Sequence, residues 1–221
     1  MKTFKALGAL LLYPSSDLIA ALPEVKAALD EERLLGHGDR AGIGALSDWL
    51  ASGDIYDLQE AYTAVFDRAR SLSLHLYEHV HGEARERGQA MVRLQTVYAL
   101  HGFSHVTHEL PDYLPLFCEF LSEVPERAAR SLLGDAVTIL EAVRARLVKR
   151  ESPYAAVFAA LVSLASRQID PALLEALSRG LNGNDDNLDL IDAAWTEEPV
   201  TFGALGSSCA SNRARQPMAT E

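Results

Sequence analysis

Cysteine is scarce in this chain of 221 residues: there are two, Cys118 among apolar neighbours and Cys209 in a polar tail. Such a pair does not suit a structural disulfide, and it fits a reducing cytosol. Positive charge is short as well. Lys and Arg number 20 against 31 Asp and Glu, a net charge of -11. No basic face is left to neutralise phosphates, which argues against nucleic acid or an anionic membrane surface. The acidic excess favours basic or neutral partners, such as a peptide carrying Lys or Arg. Long hydrophobic runs are missing; nothing approaches the roughly 20 apolar residues of a membrane span. The opening MKTFKALGALLLYPSSD has two lysines and a short apolar run, but Pro14 and Ser15-Ser16-Asp17 cut it short of a signal peptide. Alternating β-branched runs and internal repeats are missing too, as are G-x-G-x-x-G, P-loop and G-x-S-x-G motifs.

What is present is helical. Hydrophobic residues make up 48% and charged residues 23%, an ordinary globular balance for one domain, or one domain and a tail. Ala, Leu, Glu and Arg dominate, and the apolar period predicts helices near 3–13, 16–30, 40–52, 55–80, 84–101, 112–124, 126–150, 153–168 and 171–179. Pro14, Ser152-Pro153 and Asp170-Pro171 punctuate them. His37-Gly38, His81-Gly82 and His101-Gly102 fall where helical patterns are expected to end, glycine supplying the left-handed cap. The expected fold is therefore all-α: a single-domain bundle of about eight or nine helices over 1–180. An acidic docking segment at 181–203 follows, keeping Leu188, Ile191, Trp195 and Phe202, and then a disordered tail at 204–221.

Two stretches carry chemistry. Residues 74–91 read LHLYEHVHGEARERGQAM, and His75, Glu78 and His79 fit the H-x-x-E-H pattern of inverted zinc hydrolases. Two histidines one turn apart suit zinc on a helix, with Glu141 or Glu151 as nominal third ligands. A helix over 55–80 would place Leu58, Tyr62, Val65, Phe66, Ala69, Leu72, Leu76 and Val80 on one stripe and Glu78 nearly opposite it, unless Ser71 and Ser73 interrupt it. The competing reading is electrostatic: Asp67, Arg68, Arg70, Glu78, Glu83, Arg85, Glu86 and Arg87 alternate in sign, as on a solvated face. The second stretch, ELPDYLPLFCEFLSEV at 109–124, has a core stripe of Leu110, Leu114, Phe117, Leu121 and Val124, with Phe120 off its centre. Pro111 and Pro115 are four apart, so Pro115 either opens the helix or kinks it.

Together, AYTAVFDRARSLSLHLYEHVHGEARERGQAM and ELPDYLPLFCEFLS resemble the nitrate reductase delta subunit family, the NarJ-type molybdenum cofactor assembly chaperones, within the wider TorD and DmsD group. The likeness is specific at 61–124 and looser from LLLYP to DAAWTEEPVTFG. It implies an all-helical cytoplasmic chaperone, not an enzyme, that holds no cofactor or metal of its own. The implied partner is the apo catalytic subunit of respiratory nitrate reductase, through its N-terminal peptide, kept competent for molybdenum cofactor insertion and membrane assembly. In the wider group an aromatic-x-x-x-Phe helix matches Tyr62 and Phe66, and a frequent Asp-His pair reads here as Asp112-Tyr113. The expected peptide site comprises Tyr62, Phe66, Asp67, Arg70, His75, Tyr77, Glu78, His79, His81, Glu83, Arg87, Met91, Glu109, Asp112, Tyr113, Glu119 and Phe120. An amphipathic peptide would lay its apolar face in a groove and meet an acidic rim of Glu78, Glu83, Glu109, Asp112 and Glu119. His75, His79 and His81 would make that recognition sensitive to pH. Charge reversal at Glu83 or Asp112 is expected to weaken binding and spare the fold. The alternatives are a zinc-dependent hydrolase and a permanent structural subunit of the reductase.

Overall fold

Local signals in the sequence start or stop several of the helices. The computed structural model describes residues 1–80, 84–104 and 108–180. Among them run nine α-helices: α1 Lys2–Ala9, α2 Ser16–Glu32, α3 His37–Ser52, α4 Ile55–Phe66, α5 Ala84–Leu100, α6 Leu114–Glu123, α7 Glu126–Lys149, α8 Ala155–Leu164 and α9 Pro171–Gly180. The Ser15 hydroxyl accepts from Leu18 N–H at 3.1 Å to open α2, and Asp54 caps α4 by accepting from Tyr56 N–H at 2.9 Å. Asp170 does the same for α9 through Ala172 N–H at 2.9 Å, directly before Pro171. Helix α5 closes as expected at His101-Gly102: Gly102 has φ +75°, Phe103 N–H reaches Tyr98 O at 2.9 Å and Gly102 N–H reaches Ala99 O at 3.0 Å. Pro115 sits in the first turn of α6, so it opens that helix and does not kink it.

Three expectations are corrected. His37-Gly38 begins α3 instead of ending a helix, with Gly36 at the cap position. Helix α1 stops at Ala9, short of residue 13. The long helix expected over 55–80 ends at Phe66, and the chain continues through two 3-10 turns, Arg70–Leu72 and Leu76–His79. Its apolar stripe still points inward at Leu58, Tyr62, Phe66, Ala69, Leu72 and Leu76, but Val80 is exposed. The expected segments 181–203 and 204–221 lie outside the described residues, as do His81, Gly82 and Glu83.

The core is a helix-on-helix arrangement in which α7 packs against α8 and α9, α8 against α3, and α1 against both α2 and α6. Helix α7 supplies Leu133, Leu140, Val143 and Leu147, all buried, and α8 supplies Val157, Phe158, Leu161 and Leu164. Tyr62, Phe66 and Tyr154 pack in tilted and edge-to-face contacts with ring centroids 4.9 to 5.9 Å apart, and the Tyr62 hydroxyl donates to Leu11 O at 2.9 Å. This ties α4 to the end of the first helical segment. Helices α1 and α6 approach closely. A Cβ on Gly8 would lie 2.8 Å from Cys118 Cβ and 3.1 Å from Pro115 O, so only glycine lets these helices meet. Glu32 reaches across from the end of α2 and accepts from Lys2 and Thr3 N–H, each at 2.8 Å, satisfying orphan donors of α1.

The same substitution at two helical glycines should therefore have opposite signs. Gly8→Ala is expected to destabilise by about 1–3 kcal/mol through overpacking. Gly44→Ala, in α3 with nothing within 4 Å of the new methyl, should stabilise by about 0.5–1 kcal/mol. Urea unfolding of the two variants beside the parent chain checks both.

Candidate functional site

Between α4 and α5 the backbone leaves helical geometry and must find other hydrogen-bond partners. It finds them on the turn before α6. Leu76 N–H donates to Asp112 O at 3.0 Å and Leu114 N–H donates to Leu74 O at 2.8 Å, forming an antiparallel bridge between His75 and Tyr113. The Asp112 side chain, fully buried, completes the join: Oδ2 accepts from Tyr77 N–H at 3.1 Å and Oδ1 accepts from His75 Nδ1 at 3.3 Å. Arg87, on the first turns of α5, places Nη1 2.9 Å from Glu78 Oε1 and Nη2 3.8 Å from Asp112 Oδ2. The Tyr98 hydroxyl donates to Pro111 O at 2.6 Å, so α5 is held at both ends. From α7, Arg146 donates to Ser71 O at 2.9 Å and to Leu177 O at 2.7 Å.

The electrostatics follow from this wiring. Burial pushes the Asp112 carboxyl up, but the bonds from His75 and Tyr77 N–H, with the charges of His75 and Arg87, outweigh it and hold it below the ordinary carboxylate range. Glu78 behaves alike: burial raises it, while Ser73, Arg87 and His75 together bring it lower. His79 goes the way of its burial, which disfavours the cation, with Arg146 and Arg70 adding to the effect against the bond to Ser73 O. Its Nε2 lies 2.9 Å from Ser73 O, which only accepts, so Nε2 carries the proton. Its Nδ1 is buried with no hydrogen-bond partner, as suits a neutral ring.

The residues expected from the sequence thus separate into groups. His75, Tyr77, Glu78, Arg87, Asp112 and Tyr113 come together in one hub, with the His75 and Tyr113 rings 5.4 Å apart. Tyr62, Phe66 and Phe120 are buried, Phe120 wholly, against Tyr98, Phe103 and Phe117. Asp67 and Arg70 are exposed on the segment after α4, and Met91 is half-buried on α5. Glu109 and Glu119, with Tyr113 again, line a groove of about 240 Å³, whose other wall is Lys5 and Ala9 of α1 and Leu12 just beyond it. Another groove, of about 490 Å³, lies on the far side of α1 against α2 and shares Lys5 and Ala9. His81 and Glu83 lie outside the described residues. Sequence reasoning missed Lys5, Leu12 and Arg146. Arg146 stood among many charged residues of a regular helix, and nothing in α1 marked one lysine as facing a groove.

The zinc reading does not survive this geometry. Residues 76–79 form a 3-10 turn, so His75 and His79 are not one α-turn apart on a helix face. Glu78 does not point to solvent from a helical shell; it is paired with Arg87. Among the described residues no group of three His, Cys, Asp or Glu is arranged to hold a metal ion. The expected charge reversal at Asp112 is corrected as well. Removing one partner from a buried charged pair costs about 3–5 kcal/mol, so that substitution strikes the fold itself.

Acid should weaken the fold in two stages. The unfolded chain protonates His79 near its ordinary value of 6.5 while the folded chain resists. Protons then bind the unfolded state preferentially, and stability falls as pH drops below that value. Asp112 and Glu78 contribute stability above their ordinary values, and it is lost as pH falls through their lowered ones. His79→Gln keeps a donor for Ser73 O and removes the first stage. The urea midpoint of the parent chain should drop between about pH 7 and pH 5, and that of the variant should drop less.

Residues 32–160 match the family described as nitrate reductase delta subunit. The chain is 40% identical over 196 residues to the nitrate reductase molybdenum cofactor assembly chaperone NarJ of Escherichia coli (strain K12), covering 88% of this chain and 82% of that protein. It is 36% identical over 207 residues to the probable nitrate reductase molybdenum cofactor assembly chaperone NarW of the same organism, covering 91% and 84%. A probable NarJ chaperone of Bacillus subtilis (strain 168) is 34% identical over 156 residues, covering 69% and 82%. The matched region contains the whole Asp112 hub, and on these grounds the chain belongs to the nitrate reductase delta subunit family.

Proposed function

We propose that this protein is a maturation chaperone, not an enzyme. It binds the apo catalytic subunit of a nitrate reductase through that subunit's N-terminal peptide. Binding keeps the subunit competent for molybdenum cofactor insertion and membrane assembly. The observation that carries the reading is similarity along 88% of the chain to a protein named for that assembly role. Three physical features support it. The net charge of -11 attracts and orients a basic partner segment. The described surface offers grooves between helices, the usual seat of an amphipathic peptide. And among the described residues no helix is long and apolar enough to cross a membrane, as fits a factor that meets its client in the cytoplasm. The cofactor in question belongs to the client; the chaperone needs no stable cofactor of its own.

The chaperone reading separates from a structural-subunit reading by when the two proteins part. Tagged catalytic subunit produced in cells unable to make the molybdenum cofactor should retain this protein in a pull-down. The same subunit after cofactor loading should release it. Stoichiometric retention on the mature, active holoenzyme would instead make it a permanent subunit. Zinc analysis of the purified protein should find no stoichiometric metal, against the hydrolase alternative.

A further inference from the structure

The acidic rim expected from the sequence is divided in space, and the division decides which carboxylates can meet a partner. Glu78 is bonded to Arg87 at 2.9 Å, and Asp112 is buried under His75, Tyr77 and Arg87. Neither is available to an incoming cation. Glu109 and Glu119 are exposed and both face the groove between α1 and α6. Among the described residues Glu109 takes part in no ion pair. Glu119 has a partner, Lys5 Nζ at 3.8 Å, with side chains 50% and 66% exposed respectively. A pair that long and that wet holds weakly, and water or another cation replaces it at little cost. The apolar surface between the carboxylates is Ala9, Leu12 and Leu116, with Leu12 42% exposed at the mouth. At about 240 Å³ the groove falls below the roughly 300–1,000 Å³ of small-molecule sites. It fits anchoring side chains of a peptide better than a compact ligand.

We infer that the α1–α6 groove is where the partner's basic, apolar-faced segment docks, and that Lys5 is a placeholder cation on Glu119 that this segment displaces. This deepens the proposed function and rests on it. An apolar anchor of the segment lies on Leu12 and Leu116 while one Lys or Arg takes Glu119 and another reaches Glu109. An arginine gains most, because its planar fork can engage a carboxylate through two N–H bonds where Lys5 offers a point charge. Lys5 thereby sets specificity. A neutral or acidic segment must leave the Lys5–Glu119 pair in place, and an acidic one is also repelled by Glu109, whereas a basic segment exchanges one cation for another. The His-rich edge at 75–79 then acts as a positioning element: through Asp112 it fixes the turn that aims Glu109 and Tyr113 at the groove.

Calorimetric titration of the full chain with a synthetic peptide of the catalytic subunit's N-terminal residues tests this at low salt. Lys5→Met should tighten binding about two- to five-fold, the range open to an exposed ion pair. Glu119→Gln and Glu109→Gln should each weaken it about three-fold or more. In the double variant Lys5→Met with Glu119→Gln, the gain from Lys5→Met should vanish, a coupling that a merely structural role would not produce. All three positions are exposed, so circular dichroism and the urea midpoint should match the parent chain. If the parent chain binds the peptide and the variants bind equally well, or if Lys5→Met weakens binding, the groove assignment is wrong while the chaperone reading stands. If the parent chain binds no peptide, the N-terminal-peptide reading fails, and this inference with it.

Discussion

The buried carboxylate of Asp112 is the constraint around which the junction of α4, α5 and α6 is arranged. A charge without solvent contact is tolerated only when hydrogen bonds and opposite charges replace its water. Asp112 obtains them from two places in the chain: the His75 ring and Tyr77 amide of one turn and, at longer range, Arg87 of α5. Satisfying this one group therefore fixes the 3-10 turn at 76–79, the start of α5 and the entry to α6 relative to one another. Arg146 reinforces the arrangement from α7 by engaging the Ser71 and Leu177 carbonyls. The hub is polar chemistry used for position.

A different constraint, steric in kind, shapes the surface beside it. Gly8 lets α1 approach α6 until the two backbones are separated by little more than the Cys118 side chain and the Pro115 carbonyl. Gly8 and Pro115 of that close contact line the groove between α1 and α6, and Lys5 and Ala9 lie on the ridge shared with the groove against α2. The Cys118 thiol, buried there and pushed up to about 12 by its apolar surroundings, is inert packing. Hub and groove meet at Tyr113, which belongs to both. A client segment bound in the groove would thus rest on a wall that the buried network holds rigid.

Much of the fold was legible because helical signals are local. The absence of alternating β-branched runs, the 3.6-residue apolar period and caps such as Asp170-Pro171 and His101-Gly102 act over a few residues each, and the structure follows them. The break at Phe66 was not legible. Ala69, Leu72 and Leu76 continue the apolar spacing of α4 and are indeed buried, so the pattern is the same for a helix and for two tight turns seated on the core. What distinguishes the two is where the backbone hydrogen bonds go, and those go to Asp112, Leu114 and Arg146. The site showed the same limit. Sequence proximity groups Glu78, Glu83, Glu109, Asp112 and Glu119 as one acidic rim and puts Phe120 off the centre of a stripe, yet Glu78 is bonded to Arg87, Asp112 is buried and the Phe120 ring is in the core.

By itself, then, the sequence determined an all-α chain of acidic surface, the placement of most helix ends and, through two long stretches, membership of a family of assembly chaperones. These depend on composition, short-range pattern and likeness, none of which needs the chain to be folded in view. Only the tertiary structure decided that the His75–His79 stretch leaves the helix, that His79 is neutral and buried, and that among the described acids of the expected rim Glu109 and Glu119 face the groove while Glu78 and Asp112 do not. The reason is physical. Burial and pairing are set by residues distant in sequence, such as Lys5 with Glu119 and Arg87 with Asp112, and no local pattern encodes which of many like charges will find each other.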